Sequence, residues 1–239
     1  MLQGYYSAAS GMRAALQNQD VLAQNLAHAS VPGYRRQGLS FASYVASGSA
    51  PADGSKAPAP HGAAIAEHAS SFVAGPIQQT GNPLECALQG DGFFVLDGPK
   101  GPMYTRNGQF QLNASGRLVN QSGYLVRGVG AIPQSASKIQ IAQDGTVMAD
   151  STSVGQLELV AFNDPKQLVR AGTTMFQAPP GTTTQAFTGT LRQGYREGSN
   201  VQVVHEMVQM ISGLRQYEAA GKAMRSLSDA MQQRINAQM

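Results

Sequence analysis

Residues 203–235 read VVHEMVQMISGLRQYEAAGKAMRSLSDAMQQRI, and this stretch decides the fold. Apolar or small side chains fall at Val203, Met207, Met210, Leu214, Tyr217, Gly221, Met224, Ser228, Met231 and Ile235, in alternating steps of four and three. That spacing predicts a heptad-like seam on an α-helix about 50 Å long, at 1.5 Å per residue. A seam of that length cannot be buried on a small domain, so it needs another helix. Its methionines, with Gly221 and Ser228, suit a shallow, adaptable contact better than the Ile/Leu packing of a self-sufficient dimer. Two outcomes stay open: a long helix lying on its own domain, or a seam completed partly by neighbouring subunits.

A partner helix is on offer at the opposite end of the chain. Over residues 2–28, Leu2, Tyr5, Ala9, Met12, Leu16, Ala23 and Leu26 recur in steps of three and four, broken only at Gln19. The helix should stop at Ser30-Val31-Pro32-Gly33, because proline disfavours helical geometry in the residue before it and glycine accepts the left-handed turn that follows. Tyr34-Arg35-Arg36 then leads into an extended segment. The expectation is that the two terminal helices pair as a coiled coil.

Between them the pattern changes to short apolar stretches separated by Asp91-Gly92, Asp97-Gly98, Asn107-Gly108, Ser115-Gly116, Ser122-Gly123 and Asp144-Gly145. Turn dipeptides this close together signal an antiparallel all-β domain. Strands are expected at Gly92 to Leu96, Met103 to Arg106, Gln109 to Leu112, Arg117 to Val119, Tyr124 to Arg127, Ile139 to Ile141, Thr146 to Ala149 and Gln156 to Phe162. Residues 45–71 are rich in Ala, Ser, Gly and Pro and read as a linker or a loop ordered by assembly. A second loop runs from Ala178 to Thr184. The fold class is therefore α+β: residues 1–44 give a helix and extended segment, 45–71 the linker, 72–192 the β domain, and 193–239 a C-terminal motif and long helix.

Composition excludes several function classes. With 239 residues, 42% of them hydrophobic, the chain can bury a core. The net charge of +3 comes from 17 scattered Lys and Arg, not from the concentrated face that nucleic acid requires. Cys86 is the only cysteine, so an internal disulfide and a Cys-based zinc cluster are excluded; it reads as a small buried apolar residue. No apolar run approaches the roughly 20 residues that span a bilayer, and Gln3, Gly4, Ser7 and Ser10 stand where a signal peptide would be cationic and apolar. If the chain leaves the cytoplasm, the expected route does not read a cleavable signal.

The catalytic patterns all fail on a particular residue. His205-Glu206-Met207-Val208-Gln209 has Gln209 where a zinc protease needs its second histidine, and His28, His61 and His68 show no ligand spacing. Gly90-Asp91-Gly92 runs into Phe93 and Phe94 and lacks the third glycine and helix start of a phosphate cradle. The aspartates fall mostly in turns, where their side chains cap backbone amides. No catalytic residue, cofactor site or metal site is assigned, and no small-molecule substrate is expected.

Three groups of residues carry a resemblance. Ser10-Gly11-Met12, Asn25-Leu26-Ala27 and Pro32-Gly33-Tyr34-Arg35 stand at one end. Gly194-Tyr195, Glu197-Gly198-Ser199-Asn200-Val201 and Glu206-Met207-Val208 stand at the other. Between them come Leu88-Gln89-Gly90-Asp91-Gly92-Phe93-Phe94 and Tyr104-Thr105-Arg106-Asn107-Gly108. In this order they resemble the bacterial flagellar rod and hook proteins, over nearly the whole chain. The resemblance implies an axial protein of the basal-body rod, exported through the flagellar type III apparatus without signal cleavage and polymerised in the periplasm. Its partners would be copies of itself, other rod proteins and the export apparatus, and it would have no direct membrane span. The length and single β domain are similar to the proximal-rod member, with the distal rod second.

An open filament needs two unlike patches on each subunit. They are expected on the N-terminal helix, at Tyr5, Met12, Leu16 and Leu26, and on the C-terminal seam, at Met207, Met210, Leu214, Tyr217, Met224 and Met231. Two competing readings remain: a soluble adhesin or binding module whose helices only oligomerise, and an enzyme with an unrecognised site.

Overall fold

The structure is a computed structural model; it describes residues 2–44 and 62–236, with side chains described at 7–40, 69–233 and 236. Helix α1 spans Leu2–Ala27 and α2 spans Val203–Asn236. Between them come β1 (Gln37–Tyr44), β2 (Gly62–Ser70), β3 (Ile77–Gln79), β4 (Cys86–Gln89), β5 (Phe93–Gly98) and β6 (Gly101–Thr105). Then follow β7 (Phe110–Leu112), β8 (Leu118–Asn120), β9 (Leu125–Val126), β10 (Ile139–Ile141), β11 (Thr146–Ala149) and β12 (Thr152–Gln156). The series ends with β13 (Leu159–Phe162), β14 (Val169–Arg170), β15 (Met175–Gln177), β16 (Thr184–Ala186), β17 (Thr190–Gln193) and β18 (Tyr195–Glu197).

These elements form two compact units. The helical unit takes Met1–Ala27, Gln37–Ala69 and Gln202–Met239; the β unit takes His28–Arg36 and Ser70–Val201. In the helical unit α1 packs along α2 and β1 pairs with β2. Gln19 approaches Gly213, Met12 approaches Gly221, and Asn25 bonds Glu206, so α1 numbers rise as α2 numbers fall and the helices are antiparallel. The long terminal helices and the antiparallel β middle are those the heptad spacing and turn dipeptides predict. One stretch differs: Gly62–Ser70, within the expected linker, is strand β2, paired with β1. The rest of that linker, residues 45–61, lies outside the described residues.

In the β unit the largest sheet runs β14-β15-β6-β5-β9-β8-β7, with β13 paired to both β5 and β16. Its centre is Phe93-Phe94-Val95-Leu96, a continuous apolar run buried on both faces. Alternation sends Phe94 and Leu96 into one cluster with Cys86, Leu88, Phe110, Leu118 and Val126. Phe93 and Val95 go into a second with Tyr104, Phe162, Leu168 and Phe176. Burial pushes the Cys86 thiol up to about 12, with Glu85 adding to the effect, so it behaves as the apolar residue its sequence context implies.

The turns are built as their composition dictates. Asn113 Oδ1 accepts from Ser115 N and Arg117 N at 3.0 and 2.9 Å, and Asn120 Oδ1 from Ser122 N and Tyr124 N at 3.0 and 2.9 Å. The strand expected at Gln156 to Phe162 is divided into β12 and β13. At the break Leu157 turns into the core, while Glu158 bonds Val95 and Arg127 through its backbone, so the chain changes sheets there. Strands β4 and β17, and β3 and β18, pair residues more than 90 positions apart. Local pattern carries no signal for such pairs, and residues 193–201 consequently belong with the β unit.

Candidate functional site

The described residues hold no group of three or more His, Cys, Asp or Glu able to bind a metal ion, and no described helix is long and apolar enough to cross a membrane. What the sequence motifs build instead is a buried polar lock in each unit and one open helix face.

In the helical unit the lock is Asn25. Its amide reproduces a strand partner for Gln37: Nδ2 donates to the Gln37 carbonyl at 2.8 Å and Oδ1 accepts from Gln37 N at 2.9 Å. Nδ2 also donates to Glu206 Oε2 at 3.1 Å, and both side chains are fully buried. Glu206 lies in the first turn of α2, where the exposed backbone amides favour a carboxylate. Leaving either partner alone in this site would strand a desolvated polar group, so the pair fixes α1 against α2 in one register.

In the β unit the lock is Glu197, in β18. Its Oε1 accepts from Arg35 Nη2 at 2.6 Å and from Gly75 N at 2.8 Å, while Oε2 lies 3.5 Å from Arg106 Nη1. All three ionised side chains are buried. Arg106 also donates to the Gly90 carbonyl at 2.7 Å and sits 5.4 Å from the Phe93 ring centre. Burial pulls the Arg106 guanidinium below its ordinary value, Glu197 opposes that, and Arg35 adds to it. One carboxylate thus serves two guanidiniums that belong to distant parts of the chain.

The remaining motif residues support this lock. Gly33, at φ +69°, donates to the Glu197 carbonyl at 2.9 Å, and any side chain there would collide with the Asn107 backbone. Tyr34 is buried, stacks on His28 at 5.0 Å, and lies under the Arg170 guanidinium at 5.1 Å. Asn200 Oδ1 accepts from Arg36 N at 2.6 Å, and its Nδ2 donates to the Ser71 and Val73 carbonyls, both at 2.9 Å. Ser199 Oγ accepts from the backbone of buried Val201. Gly194 accepts from Thr80 N and Gly198 donates to the Pro76 carbonyl, both at 2.8 Å. Gly92 gives way to the Phe187 ring. Arg170, which also donates to the Arg35 carbonyl at 2.6 Å, was not legible as a member; nothing near it in sequence signals the role.

The open face is on α2. Val204, Val208, Ile211 and Leu214 are 75, 60, 56 and 50% exposed, and Val203 and Met207 stand out beside them. Side chains on the α1 side are instead Glu206, Met210, Gly213, Tyr217, Ala220, Gly221, Met224, Leu227 and Met231, which are buried or half-buried. Of the expected seam, Met210, Tyr217, Met224 and Met231 therefore lie inward, while Met207, Leu214 and Ser228 are displaced outward, each beside a position that does face α1. Buried Glu206, fixed by Asn25, sets this phase. On α1, Met12 and Leu26 are half-buried, Leu16 and Ala23 point outward, and Val21, Leu22 and Asn25 hold the buried positions; the side chain of Tyr5 lies outside the described residues. A second run at Val204, Val208 and Ile211 was the signal that could have shown two apolar faces.

Comparison with known proteins matches the same three zones. A family model described as flagella basal body rod protein matches residues 6–35. One described as flagellar hook protein FlgE/F/G D1 domain matches 87–149, and one described as flagellar basal body rod FlgEFG protein C-terminal matches 192–237. The chain is 30% identical to the flagellar basal-body rod protein FlgG of Borreliella burgdorferi, over 97% of this chain and 96% of that one. It is 32% identical to the FlgG of Caulobacter vibrioides, over 97% of each. With the rod protein FlgF of Mesorhizobium japonicum it shares 29%, over 98% of this chain and 97% of that one.

Proposed function

This chain belongs to the flagellar basal-body rod protein family, a structural and not an enzymatic family, and on that premise we propose that it polymerises into the rod through its terminal helices. The observation that carries the proposal is the apolar stripe Val204, Met207, Val208, Ile211 and Leu214, which pairing with α1 leaves open to solvent. A contiguous apolar face of this kind marks a protein contact. The helical subunits would form a tube able to transmit torque, with copies of the chain and other rod proteins as neighbours and the flagellar export apparatus as the route out. The interface reading includes Met12, Leu16 and Leu26 on α1 and Met207, Met210, Leu214, Tyr217, Met224 and Met231 on α2. The proximal rod is the preferred position, on the argument of short length and one β unit; the distal rod is second, since relatives named FlgG and FlgF match at similar identity.

Leu214→Asp tests the reading. Leu214 is already half exposed, so the isolated chain should keep its helicity and its melting temperature, while a buried unpaired carboxylate in the assembly should abolish polymerisation and swimming. Sedimentation and motility of cells carrying only the variant are the measurements. Normal assembly by Leu214→Asp would remove the stripe from the interface.

A further inference from the structure

The α1/α2 pair carries a hollow as well as a ridge. Met12, Tyr217, Gly221 and Met224 line a groove of 440 Å³, with Glu218 and Arg225 at its rim. It is open because Gly221 has no side chain: the nearest atom to a Cβ built there is Met12 Cε, at 3.8 Å. The ridge at Val204 to Leu214 and this groove lie in succession on the same helix, so within one chain they cannot meet.

Resting on the reading above, we propose that the groove receives the Val204–Leu214 stripe of a second copy of this chain, set parallel and displaced by about 13 residues, roughly 20 Å along the axis at 1.5 Å per residue. At that displacement Val204 faces Tyr217, Val208 faces Gly221 and Ile211 faces Met224, so branched side chains enter the opening that glycine and thioethers leave. The charges agree with the same offset. His205 meets Glu218, Arg215 falls within one position of Asp229, and Arg225 and Lys222 face uncharged Ser212 and Gln209, so no like charges are opposed. Ridge into groove is a contact between unlike surfaces, and pure translation never closes it, so the same step repeated gives an open row of subunits.

Cysteine pairing reads the offset directly. Arg215→Cys and Ser228→Cys are both exposed positions, and the native Cys86 is fully buried. The two single variants are mixed under assembly conditions with oxidised glutathione, and a chain carrying both substitutions is treated alike. The expected result is a mixed 215–228 dimer from the pair of single variants, and a ladder of multimers from the double variant, because a disulfide forms only where Cα atoms come within about 7 Å. Arg215→Cys linking to itself without the mixed dimer would place ridge against ridge and overturn the proposal. Assembly without any 215–228 link would overturn it while leaving rod polymerisation intact. Absence of assembly in the unsubstituted chain would overturn both.

Discussion

Glu197 shows how much a single residue carries in this molecule. Its carboxylate answers Arg35 from the N-terminal end and Arg106 from the β sheet, and both arginines are buried. Glu197→Gln keeps the volume and removes the charge, leaving two buried cations facing each other. The expected loss is about 3 to 5 kcal/mol in urea denaturation of the β unit, the range for breaking a buried ion pair from one side. A loss within ~1 kcal/mol would mean that water already reaches the cluster. Asn25 is the counterpart in the helical unit, where one amide replaces a missing strand for Gln37 and fixes Glu206. These residues were legible as motif members from the sequence, but their roles were not, because every partner lies 12 to 181 positions away.

Among elements, the sequence was most informative where structure is local. α1 was expected over residues 2–28 and spans Leu2–Ala27; β10 and β11 fall at the expected Ile139 to Ile141 and Thr146 to Ala149. Periodicity gave the existence of α2 but left its phase open, since apolar residues line two faces, and the buried Asn25–Glu206 bond lies on the one that meets α1. Short strands joined across the whole chain, such as β3 with β18, have no local signature at all. Strand β10 illustrates a related point about edges. Its outer edge is occupied not by a strand but by the Gln193 amide, which accepts from Ile141 N at 3.1 Å and donates to the Ile139 carbonyl at 2.9 Å. An unpaired edge invites pairing with another chain. Gln193→Ala should therefore free the Ile141 N–H and the Ile139 carbonyl and speed amide hydrogen exchange at Ile141 several-fold, with other strands of the β unit unchanged; unchanged exchange at the Ile141 amide would show that the side chain does not guard the edge.

Across the whole molecule, the division into units does not follow the order of the chain. The β unit includes His28–Arg36 as well as Ser70–Val201, so a fragment of residues 28–201 retains Arg35, Asn200 and the complete Glu197 lock. It should melt cooperatively by circular dichroism, whereas residues 36–199, lacking Arg35 and Asn200, should lose stability by several kcal/mol for want of a buried counter-ion. Equal melting of the two fragments would show that the lock contributes nothing to the β unit. The bond between Arg35 and Glu197 spans 162 positions. A contact so distant in sequence closes late in folding, since the loop entropy must be lost before the bond repays it. The β unit can therefore be finished only once the chain has been made as far as Glu197, which sets the order of events: a copy ending before Glu197 leaves Arg35 without its anion and Arg106 with no carboxylate but that of exposed Asp91, 3.9 Å away.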